Sequence, residues 1–454
     1  MARWELLALW AALVALISTT PSALAKPAFG SRTLVVLEDV AKKDTYGKFL
    51  KGLEERGHNL VYKSASESQF NLVAFDELAY DHFLVLAPQV KSLGGELSIS
   101  HVIDFVNKGG NVLLATSSSI TEAVRDVAYE FSADFDDSGT AVIDHFNAVD
   151  EDPTLIAASS FPDKNIKAVS AAVRNGGPVL FRGVGHRLTG KNPLMQPILI
   201  GAPTTYSYLK DDDEPLEGGP LVGNGLVLVS GLQARNNARV VFAGSVDMFS
   251  DEFIDKKVGD RQSGNADFVT ELGKWAFQEK GVLKVGGTFH HRLNETAQHG
   301  IYRIKDDMVY EIKVAEWTGE NWSPFTPSDM QFEAVMLDPY IRTHLRSIPS
   351  APGIPHPYAT LATQFRLPDH YGVFTFKVDY KRHGYSWLEA AETVQVRPYR
   401  HDQYPRFLTP AYPYYVNVFS MMVGFVLFSA VFLWNREPGT AAGKGAAGAS
   451  AKSK

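Results

Sequence analysis

The chain of 454 residues contains no cysteine. That absence excludes disulfide cross-links, thiol nucleophiles, thiolate metal sites and Cys-x-x-Cys redox pairs. The domains must therefore be stable through their apolar cores alone. An excess of basic charge is also lacking. The 44 Lys and Arg stand against 51 Asp and Glu, a formal net charge of -7, and no long basic run offsets it, so nothing points to nucleic acid. Signatures of chemistry are missing too. No Gly-x-Ser-x-Gly elbow occurs, since Ser245 in "FAGSV" lacks both flanking glycines, and there is no His-Glu-x-x-His. The loop after the first apolar run, "LEDVAKKD", has no glycine to cradle a pyrophosphate. "GHRLTGKN" (Gly185–Asn192) matches Gly-x4-Gly-Lys but ends in Asn192, where a magnesium-holding hydroxyl belongs, and Pro193 follows at once. Finally, no charged residue stands between Arg406 and Arg436.

That charge-free stretch is the clearest positive signal. Its densest part, Val416–Trp434, covers roughly 28 Å at the helical rise, about one hydrocarbon core. Tyr412, Tyr414 and Tyr415 form an aromatic belt at one end, and Trp434 with Arg436 anchors the other. At the other terminus, Arg3, the apolar Leu6–Ile17 and the small-x-small "ALA" of Ala23–Ala25 read as a secretory signal removed before Lys26. The expected organisation is a signal peptide at 1–25, a luminal α/β domain at 26–284, a luminal β-sandwich at 285–408, a membrane helix at 412–434 and a cytosolic tail at 435–454. Membrane lipid is the one partner the composition itself names.

Between these ends the pattern changes once. "TLVVLED" (Thr33–Asp39), "NLVYKSA", "HFLVLAP" (His82–Pro88) and "NVLLATS" read as buried strands. Helical spacing lies between them at Tyr46–Leu53, stopped by Gly57, and at Ile99–Val106, and a further helix is expected over Thr121–Phe131. Such alternation predicts a parallel sheet wound on both faces, in flavodoxin-like or glutamine-amidotransferase-like order. Strand-rich sequence follows in "TAVIDHFN", "GPVLFRGVG" and "GLVLVSGLQ", and a helix over Ala266–Lys280 closes the unit. Past "GVLKVGG" only strands are expected: "VYEIKVAEW", "MQFEAVML", "ATQFRL", "GVFTFKVDY" and "TVQVRPY". The period-two set Phe374, Phe376 and Val378 faces inward there, and the spacing suggests an immunoglobulin-like sandwich.

"GLQARNNARVVFAGSVDMFSDEF" (Gly231–Phe253) is the densest polar knot between apolar runs. It reads as two strands joined by the turn "ARNNAR", with Asn236 and Asn237 suited to positive φ. Ser245 or Asp247 is then expected to cap the helical turn that follows. The alternative is a ligand site at a strand's carboxyl end. Arg235 and Arg239 are expected in buried or interfacial ion pairs, so Arg235, Asn236, Asn237 and Arg239 form the candidate interface. His290-His291 with His299 suggests metal ligation, but adjacent strand residues face opposite ways, which favours solvated histidines. Asp211–Asp213 reads as an acidic loop, and Asp144-His145 lacks a third partner. Asn294 and Asn321 head sequons, the second followed by Pro324. Ser420 and Gly424 form a small-xxx-small pair for helix packing within the span.

Taken in order, "TLVVLED", "TAVIDHFN", "PVLFRGVGH", the 231–253 stretch, "LPDHYGVFTFKVDY" and "AYPYYVNVFSMMVGFVLFSAVFL" resemble the single-span 48-kilodalton-type subunit of the eukaryotic oligosaccharyltransferase. The resemblance implies a non-catalytic subunit in the endoplasmic reticulum membrane. It supports transfer of oligosaccharide from dolichyl diphosphate to Asn in Asn-x-Ser/Thr. It further implies packing against a catalytic multi-span subunit, ribophorin-type subunits and a small multi-span subunit, and assigns this chain no catalytic residue, cofactor or metal. Two departures stand out. The proline-rich stretch Ile348–Tyr358 is longer than the family leads one to expect, and Lys452 and Lys454 do not together fill the third and fourth positions from the end. The competing reading is a stand-alone, membrane-anchored luminal glycan-binding or hydrolytic protein.

Overall fold

The structure, a computed structural model, describes residues 27–65, 71–89, 99–162, 167–190, 192–209, 219–259, 261–349 and 357–434. The expected signal peptide, the acidic loop, Lys191, the middle of the proline-rich stretch and the cytosolic tail lie outside the described residues. The described chain separates into two compact units, one through Val396 and one from Arg397 onward.

The first unit is built on a nine-stranded sheet. Its strands are β1 (Arg32–Leu37), β2 (Asn59–Ser64), β3 (His82–Leu86), β4 (Asn111–Ala115), β5 (Ala133–Phe135), β6 (His186–Leu188), β7 (Met195–Ile200), β8 (Val227–Gln233) and β9 (Arg239–Ala243). They lie in the order β2-β1-β3-β4-β9-β8-β6-β5, with β7 also on β8. The first five are parallel, and β8 returns antiparallel to β9. Helices α1 (Gly47–Glu55), α2 (Ile99–Asn107), α3 (Glu122–Glu130) and α4 (Asn265–Ala276) connect and cover it.

Strand alternation decides which helix covers which face. Val35, Leu37, Leu84, Leu86, Leu113 and Val241 pack with Phe49 and Leu53 of α1 and Phe268 and Leu272 of α4. Leu34, Val36, Phe83, Val85, Val112 and Phe242 pack with Val102 and Phe105 of α2 and Val124 and Val127 of α3. Both faces are thus apolar, as uninterrupted runs such as "LVVL" require.

From Leu283 through Arg397 the described residues form strands and no helix. One sheet runs β10 (Leu283–Arg292), β12 (Asp307–Trp317), β17 (Ala359–Arg366), β16 (Arg346–Ile348), with β13 (Trp322–Pro324) on β12. The other runs β11 (Ile301–Arg303), β19 (Leu388–Arg397), β18 (Gly372–Tyr380), β14 (Gln331–Met336), β15 (Asp338–His344). The two share an aromatic core: the ring centroids of Tyr310 and Phe332 are 4.5 Å apart, those of Phe332 and Phe365 4.7 Å. Phe374, Phe376 and Val378 point inward, as their period-two spacing indicates.

The second unit carries α5 (Tyr412–Leu433), whose 22 residues extend about 33 Å. With the preceding turn it is long and apolar enough to cross a membrane.

Two local expectations are corrected. Helix α4 stops at Ala276 rather than Lys280, because Gln278 takes φ 59° and its amide bonds Asn111 and Asn237. Neither Ser245 nor Asp247 caps the turn after β9. The turn Asp247–Phe249 has no side-chain cap, and Ser250 caps the helical turn beyond it, accepting from the Phe253 N–H. Ser245 is buried, with Oγ accepting from the Arg182 N–H, and Asp247 pairs with Arg182 instead.

Candidate functional site

In a parallel sheet the crevice for ligands opens at the carboxyl ends of the strands, where the strand order reverses. Here the reversal lies between β1 and β3, and a cleft of about 380 Å³ sits there. Residues following β1, β3, β4 and β9 line it: Glu38, Asp39 and Lys42; Pro88 and Gln89; Ser117 and Ser118; Val246 and Asp247. Tyr46 closes one wall.

Most of its acceptors already have local partners. A Glu38 carboxylate oxygen accepts from the Gln89 N–H at 3.1 Å, and Asp39 accepts from the Ala41 N–H at 2.9 Å. Asp247 is held by the Arg182 guanidinium at 2.8 and 2.9 Å. Burial, with Asp247 and Glu38 nearby, pushes the Tyr46 hydroxyl up to about 12. Among the described residues the lining contains no histidine, and Ser117 Oγ accepts from the Ser119 N–H rather than facing a base. This cleft can hold a small polar molecule, and among the described residues it contains no nucleophile–base pair.

The knot "ARNNAR" lies at the opposite edge. It follows β8 and precedes β9, and β9 runs parallel to β4, so the turn sits at the amino ends of the parallel strands. Each residue has a distinct task. Asn236 donates to the Val106 and Asn107 carbonyls at 2.7 and 2.9 Å, closing the carboxyl end of α2. Asn237 adopts φ 70°, and its side-chain oxygen accepts from the Trp387 N–H at 2.6 Å. Arg239 is fully buried, and its guanidinium donates to the Trp275, Lys280 and Gly281 carbonyls at 2.7, 2.7 and 2.9 Å. It also stacks over the Trp275 ring, 5.0 Å from the centroid. Burial pulls its pKa down to about 9, still charged at neutral pH.

The expected ion pair is therefore replaced by a different arrangement. Among the described residues Arg239 meets carbonyl oxygens at a helix carboxyl end, where the macrodipole favours a cation, and no carboxylate. Having no exposed surface, it is not available to a neighbouring chain. Arg235 and Asn236 are the exposed members of the turn.

Of these bonds, the one between Asn237 and Trp387 joins the α/β part to the strand part, and others beside the knot reinforce the joint. Gln233 donates to the Tyr385 carbonyl, Trp275 Nε1 to the Gly384 carbonyl at 3.0 Å, and Ser386 Oγ accepts from the Leu283 N–H at 2.7 Å. A Cβ on Gly281 would lie 2.5 Å from the Gly384 oxygen, so only glycine permits this backbone approach. Beside the joint, Glu279 is buried with Arg56 at 3.0 Å and His58 at 3.0 Å. The sequence reading missed Trp275, Gln278, Glu279 and the 384–387 loop. Their one legible signal was polar residues immediately after a helix that then turns into strand.

The remaining candidates do not converge. His290 is buried, bonded to Tyr302 at 2.8 Å and near Glu392 at 3.1 Å, and burial lowers its pKa. His291 bonds the Arg292 carbonyl, and His299 bonds Glu295. Among the described residues no group of three His, Cys, Asp or Glu is placed to hold a metal. Asp144 accepts from Phe146, Asn147, Thr204 and Thr205. Although burial opposes its ionisation, these bonds hold its pKa down to about 2, while His145 bonds Tyr206 instead. Asn294 and Asn321 are exposed. Ser420 Oγ donates to the Asn417 carbonyl within α5, and open space surrounds Gly424. A hollow of about 590 Å³ between β15 and β17 has, among the described residues, only His344 and Arg346 as ionisable lining.

Two family models match the chain, "OST48, N-terminal domain" over residues 24–279 and "OST48 middle domain" over residues 290–436. The gap between them falls at the joint. The chain is 41% identical over 419 residues to the dolichyl-diphosphooligosaccharide--protein glycosyltransferase 48 kDa subunit of Danio rerio, covering 89% of this chain and 92% of that one. It is 40% identical over 418 residues to the same-named protein of Arabidopsis thaliana, with coverages of 89% and 93%. For that of Caenorhabditis elegans the figures are 41% over 423 residues, 89% and 92%.

Proposed function

The chain belongs to the family of the 48 kDa subunit of dolichyl-diphosphooligosaccharide–protein glycosyltransferase, and we propose on that premise that it is a rigid luminal platform of the complex. It is a non-catalytic subunit that supports protein N-glycosylation, the transfer of oligosaccharide from dolichyl diphosphate to Asn in Asn-x-Ser/Thr. It sits in the endoplasmic reticulum membrane as a single-pass type I protein, with its bulk in the lumen.

The observation that carries the platform reading is the use made of the polar knot. Asn237 bonds the Trp387 N–H of the strand part directly, while buried Arg239 fixes the end of α4 and the turn after it, from which Trp275 and Gly281 meet Gly384. The finer fold assignments follow the same line. The order β2-β1-β3-β4 followed by β9 favours a flavodoxin-like or amidotransferase-like luminal domain over 26–284. Two sheets sharing an aromatic core favour an immunoglobulin-like sandwich over 285–408. Arg235 and Asn236 are offered to a luminal neighbour, Ser420 and Gly424 to a partner helix, and exposed Asn294 and Asn321 to glycosylation. The partners are the catalytic multi-span subunit, ribophorin-type subunits and a small multi-span subunit.

The test is affinity purification through a tag on the tail, from membranes solubilised in mild detergent. Recovery of the multi-span transferase subunit together with the ribophorins is expected. Recovery of this chain alone, while other complexes stay intact, overturns the platform and favours the stand-alone glycan-binding reading, for which the cleft at the carboxyl edge would be the site.

A further inference from the structure

The hairpin joining β14 to β15 turns at Leu337, which adopts φ 64° and is 100% exposed. Both features run against ordinary economy. Left-handed turn positions favour Gly, Asn or Asp, and a fully exposed Leu side chain contributes nothing to this chain's core. Leu337 is not isolated. In the β14–β18 register Val335 faces Thr375, so the turn at Leu337 and the strand residue Val373 each lie two residues beyond the last pair, at the same end of the sheet. Val373 is 55% exposed, Tyr371 68% and Tyr340 43%, and the Tyr340 ring lies 5.6 Å from Phe374 and 5.2 Å from His370. Asp338 and the Lys305–Asp369 pair edge this apolar tip.

Val373 faces Gln395 and Gly372 faces Val396 on β19. Val373 and Gln395 are thus side by side, and the hairpin that turns at Leu337 continues from β14 on the other side of β18. β19 ends at Arg397, and the chain enters the span at Tyr412. The connector, residues 397–411, reaches at most about 50 Å if fully extended, and its two helical turns shorten it. Its own Tyr404, Phe407 and Leu408 are exposed. The apolar tip therefore lies at the end of the strand region at which β19 ends.

We propose that Leu337, Tyr340, Tyr371 and Val373 form a second membrane contact, seating the strand region on the lipid headgroup–acyl boundary of the luminal leaflet. This rests on the reading of α5 as a membrane span. The chemistry matches that of interfacial anchors: aromatic rings with polar ends at headgroup level, and aliphatic side chains reaching the acyl boundary. Because the contact is apolar, it is insensitive to salt.

The absence of cysteine makes a clean test available. The full chain is reconstituted into phosphatidylcholine vesicles after Leu337→Cys or Tyr371→Cys and labelling with an environment-sensitive fluorophore. Nitroxide placed on the upper acyl chain of the lipid should quench both probes, and their emission should shift to the blue. Probes at Phe75→Cys and Phe146→Cys, exposed positions in the α/β part, should keep their emission. A probe at Phe425→Cys checks the span itself; if that one escapes quenching, the spanning reading has failed rather than the seat. Quenching at 425 with none at 337 or 371 overturns the proposal. So does shielding at 337 that needs other subunits and occurs without lipid quenching, since the tip then docks on protein. Val373→Cys replaces Leu337→Cys if the hairpin variant does not fold.

Discussion

The two edges of the large sheet make opposite use of polar residues. At the amino edge Arg239, Asn237, Asn111, Gln278 and Glu279 are buried or half-buried and bonded to named partners, and Asn237 reaches across to the strand region. At the carboxyl edge Glu38, Asp39, Lys42 and Asp247 line an open cleft, and their bonds stay within the α/β part. Polar density in a sequence therefore does not mark a site. What separates a lock from a pocket is the edge of the sheet on which the turn falls, and that follows from strand direction.

Breaking the amino edge should have the largest effect. Arg239→Ala leaves three buried carbonyls without a donor and empties the space over Trp275. Each orphaned carbonyl costs about 1–3 kcal/mol, so a total near 3–5 kcal/mol is expected, even after crediting relief of a buried charge. The readout is chemical denaturation of the full chain in detergent, together with the yield of intact complex. Turnover per intact complex should be unchanged. Arg239→Lys, which cannot fork to three carbonyls, should recover only part of the loss. Wild-type stability in Arg239→Ala would dismantle the contrast between the edges.

Acid sharpens the same contrast more mildly. Burial drives His82, at the start of β3, down to about 3, and does the same to His186 beside Ser230. Unfolded, both titrate near 6.5. The unfolded chain thus binds more protons than the folded one between pH 6.5 and about 3. Their stabilising contribution is complete above pH 6.5 and is lost as pH falls through that window, at up to about 2.7 kcal/mol per pH unit for the two together. His82→Gln should remove roughly half of that slope. An unchanged acid limb would mean that His82 is not held neutral at this edge.

Much of this architecture is legible in the chain itself. The uninterrupted apolar runs of β1, β3 and β4, the helical spacing at Phe49–Leu53 and the alternation at Phe374–Val378 each specify an element and its inward face. Asn237 at positive φ follows from the "NN" of a tight hairpin. The role of Arg239 was not legible, because its partners lie 36 to 42 residues away and are backbone carbonyls, which no residue type announces. The early end of α4 was hidden for the same reason, since Gln278 leaves the helix to satisfy Asn111 and Asn237. The cleft was hidden too: its lining comes from four separated loops that only the sheet order brings together.

The smallest effect is expected at the carboxyl edge, and it is the most discriminating. Asp247→Asn weakens the Arg182 pair, which is partly exposed and screened, so the cost should be about 0–1 kcal/mol. On a unit this large that shifts the melting midpoint by no more than roughly 2–4 °C. Lys42→Ala, whose 4.0 Å contact with Glu38 is longer and more exposed, should cost still less. Complex recovery and glycosylation of a reporter sequon should stay at the wild-type level in both. If either variant keeps its stability yet lowers reporter glycosylation, the cleft is engaged by a ligand in the working complex. The carboxyl edge would then be a site after all, and the contrast would become one between a lock and a pocket in use.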